Sequence, residues 1–219
     1  MRNRVPSRRM AAAWLREIGI DFVPLVSAGP VRGEGETLEE IRAELAGCRG
    51  CALCSGRRTI VFGTGTPNAR LMFVGEGPGA EEDRQGEPFV GAAGKRLNRW
   101  IERIGLSRNE VYIANIVKCR PPGNRAPLPE EAAACLPWLR RQIRAVRPEI
   151  LCTLGSVALN FLLGNDERIT RARGRWRELD GIPVLPTYHP AYILRNAAKE
   201  SEVFEDFDRI AEKLGLRPG

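Results

Sequence analysis

Along most of this chain, short apolar runs alternate with stretches of helical periodicity, and few folds accept that pattern. Leu71-Met72-Phe73-Val74 is followed by glycines and then by a helical pattern from about Ala92 to Ile104. Val111 to Val117 precedes a long helical stretch, Pro129 to Val146. Glu149 to Leu154 leads into Ser156 to Leu163, and Ile182 to Tyr188 precedes a last helix ending near Leu216. Strands joined by helical crossovers make a largely parallel sheet covered on both faces. The expected fold is therefore α/β. Thr37-Leu38-Glu39-Glu40 forms a capping box, which predicts a further helix from there to about Ala46. In open α/β sheets, ligands sit at the carboxyl ends of the strands. That rule directs attention to the residues after Val74, within or after Val111–Val117, and after Tyr188.

The length of 219 residues suits one such domain and little more. Residues 1–36 read as an N-terminal extension, with a short amphipathic helix over Arg8 to Ile20 and a linker at Ser27-Ala28-Gly29-Pro30. The domain proper is expected over 37–219. No apolar run approaches the ~18 residues of a membrane span. The basic start lacks a long enough apolar stretch for a signal peptide, so a cytoplasmic protein is expected. Lys and Arg number 34 against 27 Asp and Glu, and 30 of the 34 are Arg. The planar Arg fork suits phosphate, although charge alone fits an anionic partner and a solvated surface equally well.

Of the six cysteines, Cys48-x2-Cys51 follows a predicted helix, Cys119 ends the second strand, and Cys135 lies inside the long helix. A four-thiolate site is the natural reading in a chain of this kind, and spacing accepts zinc or a [4Fe–4S] cluster alike. Cys54 extends the first pair toward a ferredoxin-like run, but position 58 is Arg58 and the run fails. Cys54 either replaces one of these ligands or, as expected, is a spectator, and Cys152 is expected to be a small buried hydrophobe.

Three further features stand at strand ends. Gly75-Glu76-Gly77-Pro78-Gly79 follows the first strand without matching a nucleotide-binding glycine motif. Beyond it lie the carboxylates Glu81-Glu82-Asp83, then Phe89 within Gly86-Glu87-Pro88-Phe89-Val90-Gly91, either a plug into the core or a platform for a planar ring. Asn115 is an amide within an apolar strand, where it needs partners or costs ~1–3 kcal/mol. His189, the single histidine, stands at a strand end before Pro190, where a helix should start. One histidine excludes any mechanism that needs two imidazoles.

Together these segments carry a family resemblance. Val74 to Gly79, Glu81-Glu82-Asp83, Gly86 to Gly91, Asn115-Ile116-Val117-Lys118-Cys119-Arg120-Pro121-Pro122 and His189-Pro190-Ala191-Tyr192 resemble the motifs of the family 4, iron–sulfur uracil-DNA glycosylases, in order and at compatible spacing. The likeness runs from about Cys48 to Arg195. It implies a three-layer α/β/α sandwich around a short, mainly parallel sheet. It also implies a [4Fe–4S] cluster on Cys48, Cys51, Cys119 and Cys135. Phe89 would stack on a flipped-out uracil, Asn115 would pair with its N3–H and O4, and the backbone of Glu76 and Gly77 would hold another edge. His189 would donate to O2 as negative charge develops there. The better-known uracil-DNA glycosylases carry a water-positioning Asp where this chain has Gly77. Glu82 is then the first candidate to activate water and Glu76 the second.

In the sequence Tyr192-Ile193-Leu194-Arg195, Ile193 and Leu194 suit a wedge filling the vacated stack, with Arg195 beside it for a phosphate. Arg171, Arg173, Arg175 and Arg177 alternate as one face of a strand or hairpin would, a face able to follow DNA or simply solvated. The resemblance implies a monofunctional hydrolase acting on uracil-containing DNA, single- or double-stranded, in base excision repair, working as a monomer without a membrane partner. The competing expectation is a non-catalytic iron–sulfur protein that senses DNA damage. A relative that captures abasic DNA through a histidine is disfavoured, because Cys119 to Cys135 contains none.

Overall fold

In a computed structural model describing residues 35–216, four parallel strands form the middle of one six-stranded sheet. The helix expected over Arg8 to Ile20 lies outside the described residues. The first helix, α1 (Leu38–Leu45), starts where the capping box placed it. Thr37 Oγ1 accepts from the Glu40 N–H at 3.2 Å, and the Glu40 carboxylate accepts from the Thr37 N–H at 2.7 Å.

In chain order the elements are β1 (Thr64–Gly65), β2 (Leu71–Gly75), α2 (Ala80–Gln85), α3 (Ala92–Arg103) and β3 (Tyr112–Asn115). Then come α4 (Pro129–Val146), β4 (Ile150–Leu154), α5 (Gly155–Leu163), α6 (Ile169–Ala172) and β5 (Arg177–Leu179). The chain closes with β6 (Ile182–Thr187), α7 (Pro190–Arg195) and α8 (Glu200–Leu214). The spatial order is β1-β3-β2-β4-β6-β5. β3, β2, β4 and β6 run parallel, while β1 and β5 are antiparallel edges.

The central strands are buried on both faces, which is why they read as unbroken apolar runs. Met72 and Val74 point with Tyr112, Ala114 and Leu151 into a core shared with α1, α4 and α5. Leu71 and Phe73 point the other way, with Ile113, Cys152 and Leu185, toward α3, α7 and α8. The α/β/α sandwich follows directly. From β2 the chain crosses to β3 on one side and later to β4 on the other, which opens a crevice at the carboxyl end of β2. Among the described residues no helix is long and apolar enough to cross a membrane.

Candidate active site at the carboxyl ends of the strands

β2 and β3 end side by side, with Gly75 opposite Asn115 in the parallel register. A Cβ at residue 75 would fall 2.4 Å from Asn115 Oδ1 and 2.6 Å from the Phe89 ring, so only glycine lets amide and ring meet there. Asn115 is 2% exposed, and its Oδ1 is buried with no partner among the described residues. An orphaned buried carbonyl is costly, and this one stands at a strand end among groups suited to a ligand.

Phe89 is held there by its loop. Its backbone has φ of 53°, left-handed for a non-glycine residue. Gly94 of α3 makes room, since a Cβ there would strike the Phe89 carbonyl. The Glu82 carboxylate fastens the other side, accepting from the N–H groups of Gly79 (3.1 Å), Val90 (3.0 Å) and Gly91 (3.0 Å). Its neighbours are also engaged. Glu81 pairs with Arg84, and the Asp83 side chain accepts from the Arg58 N–H at 2.9 Å. Both Glu82 oxygens accept from backbone donors, so the carboxylate ties the Phe89 loop to the start of α2. Glu76 differs. Its partly buried carboxyl has no hydrogen bond within the described residues, and burial raises its pKa.

His189 caps α7, where its Nδ1 accepts from the Ala191 N–H at 3.1 Å. A ring nitrogen that accepts cannot carry the proton, so the neutral imidazole bears its hydrogen on Nε2, free to donate. Its ring centroid lies 5.6 Å from that of Phe89. Burial, then the charge of Arg195, lowers its pKa to about 4 against the pull of Glu82, which keeps it neutral at physiological pH.

After His189 the expected wedge divides. Ile193 is fully buried in the core beneath α7, which corrects its assignment to DNA, because a core side chain cannot enter a base stack. Leu194 is 43% exposed, and Arg195 is exposed beside it. The alternating arginines do not share a strand face. Arg171 lies on α6 and Arg177 opens β5; Arg173 pairs with Asp206 and Glu202, and Arg177 with Glu167.

On the other side of the sheet, Cys48, Cys51, Cys54, Cys119 and Cys135 line one cavity, while Cys152 is buried in β4. Donors point at its sulfurs: Gly50 N–H to Cys48 (3.4 Å), Arg57 Nη1 to Cys119 (3.3 Å) and Lys118 N–H to Cys135 (3.3 Å). Burial raises the Cys51 and Cys119 thiols and takes Cys135 to about 11. Among the described residues, no three His, Cys, Asp or Glu side chains converge as ligands of a single ion. Thiols lining one cavity supply the donor type that zinc and iron–sulfur centres both use. Sequence reasoning missed the second carboxylate clamp, on Asp83, and the buried Lys118–Gln142 bond.

A doubly covered parallel sheet with an aromatic ring, an amide and a neutral imidazole at its carboxyl end defines an α/β fold with a ligand crevice at its strand ends. The family model of the uracil DNA glycosylase superfamily matches residues 62–215, and the chain belongs to that superfamily. Within it the likeness is to the type-4 branch. The chain is 44% identical over 180 residues to the Type-4 uracil-DNA glycosylase of Thermotoga maritima, spanning 80% of this chain and 93% of that protein. It is 45% identical over 192 residues to the enzyme of the same name from Sulfurisphaera tokodaii, spanning 84% and 87%. The Archaeoglobus fulgidus protein of that name is 41% identical over 190 residues, spanning 83% and 96%.

Proposed function

We propose that this protein hydrolyses the N-glycosidic bond of uracil in DNA and leaves an abasic site. The carrying observation is the buried, unpartnered Asn115 Oδ1 beside the Phe89 ring. Uracil flipped from the stack lies on Phe89. Its N3–H donates to Asn115 Oδ1, and its O4 accepts from Asn115 Nδ2. Cytosine offers a lone pair at N3 and an amino donor in place of O4, so both contacts fail and the fixed amide rejects it. The backbone around Glu76 and Gly77 holds the other edge.

As the bond to the sugar breaks, electrons flow to the base and charge collects on O2. His189 donates Nε2–H there, already oriented by its cap and without any change of protonation. Glu76, with its unengaged carboxyl and raised pKa, positions the water that adds to the sugar. Glu82 positions Phe89. Leu194 fills the vacated stack, and Arg195 meets a nearby phosphate. No lysine is assigned to attack the sugar, so the product is the abasic site itself.

Cys48, Cys51, Cys119 and Cys135 are the residues that would hold a [4Fe–4S] cluster, which when bound cross-links a loop, a strand end and a helix far apart in sequence. The test is release of free uracil from single- and double-stranded oligonucleotides containing uracil, with thymine and cytosine controls. No release by an iron-replete preparation would overturn the assignment.

A further inference from the structure

Lys118 follows the base-recognising strand and directly precedes Cys119. It is 1% exposed. Its Nζ donates to the Asn115 carbonyl at 2.9 Å and to Gln142 Oε1 of α4 at 2.6 Å. Gln142 is itself held, donating to the Phe62 carbonyl at 2.9 Å and to the Tyr112 hydroxyl at 3.2 Å. Among the described residues no carboxylate comes within ion-pair distance of Lys118. A buried ammonium without a counter-charge is strongly disfavoured. Lys118 lines the cysteine cavity, where its own N–H donates to Cys135, so thiolates held there by a cluster would supply the counter-charge.

The other end of the side chain reaches the recognition site. Its bond to the Asn115 carbonyl sets the peptide plane at the end of β3 and hence the direction of the Asn115 side chain. That side chain has little slack above Gly75. We propose that Lys118 is a positioning residue joining the two sites: its charge balances the thiolates of a cluster held by the cysteines, and its hydrogen bond holds Asn115 in register with the base. The inference rests on the cluster and uracil assignments above.

Two variants of the holoprotein test it, K118M and Q142E, each read by the midpoint potential of the cluster and by inhibition with free uracil. Removing a positive charge beside an anionic centre makes an added electron less welcome, so K118M moves the potential in the negative direction. Losing the bond to Asn115 weakens inhibition by free uracil on the order of tenfold. Q142E keeps the shape and the acceptor that Lys118 uses, gives up the donor to the Phe62 carbonyl, and sets a carboxylate against the ammonium. It also moves the potential negative, while uracil inhibition stays near native because the Lys118–Asn115 bond remains. A general loosening of the fold predicts neither this direction nor this split. An unchanged potential in Q142E overturns the charge role even if K118M does not fold, and unchanged uracil inhibition in folded K118M overturns the link to Asn115. Native protein that binds no iron, or that uracil does not inhibit, fails the underlying assignment instead.

Discussion

Protonating His189 should be unusually difficult, and the protein should register this in both its titration and its stability. Lowering an imidazole from 6.5 to about 4 corresponds to ~3 kcal/mol against charging it in place. Three features oppose the proton: burial removes solvent from the cation, the charge of Arg195 repels it, and Nδ1, the nitrogen that would take it, already accepts from the Ala191 N–H. The sign for stability follows from linkage. Above pH 6.5 neither the folded nor the unfolded chain holds the extra proton, and His189 contributes no pH dependence. Below it the unfolded chain takes up a proton that the folded chain refuses. Stability should therefore fall from pH 6.5 toward 4 and level off below, with ~3 kcal/mol as the upper bound from this group. A single histidine makes the assay clean, because nitrogen-15 NMR shows one imidazole in the whole protein. Its midpoint should lie far below 6.5, with the hydrogen on Nε2 throughout. Uracil release should show no acid limb centred near 6.5. A midpoint at the ordinary imidazole value, or a proton on Nδ1, would refute the argument that burial and the cap set this residue's state.

Other substitutions separate the remaining roles. Glu82→Gln leaves one acceptor where three backbone N–H groups converge, so chemical denaturation should show a loss of ~2–3 kcal/mol, with weaker substrate binding as the Phe89 loop loosens. Asn115→Asp should reverse the preference of the pocket: its carboxylate repels uracil O4 but accepts from the cytosine amino group. Chromatography of released bases should show uracil falling by on the order of a hundredfold and cytosine appearing. Leu194→Ala should slow release from double-stranded DNA about tenfold while sparing single strands, because only a duplex has a stack to refill. Ile193→Ala should instead cost ~2–4 kcal/mol of stability on thermal or chemical unfolding.

That last pair shows where a sequence is legible and where it is not. The layered fold was readable because each central strand is buried on both faces, and a run such as Leu71 to Val74 has no other use. The edge strands left no such mark. β1 has two residues and β5 three, half covered, and the hairpin that joins β5 to β6 turns on Asp180-Gly181, with φ of 50° and 83°. Residue types at strand ends were informative, because Asn115 and His189 are expensive or unusual where they stand. What their neighbours do depends on directions that a sequence does not carry. Helix α7 begins at Pro190, and its phase turns Ile193 inward and Leu194 outward, although the two are adjacent and chemically alike. Glu82 reads as a free carboxylate until the loop eight and nine residues later folds back and delivers two N–H groups to it. The arginine alternation failed for the same reason, since a period of two means one face only if the segment is extended, and here a helical turn interrupts it. Chemistry that belongs to a single residue can thus be read early. Chemistry that depends on which way a residue faces becomes readable only once the backbone around it has a shape: the places of Asn115 and His189 at strand ends were legible, and the directions of Glu82, Ile193 and Lys118 were not.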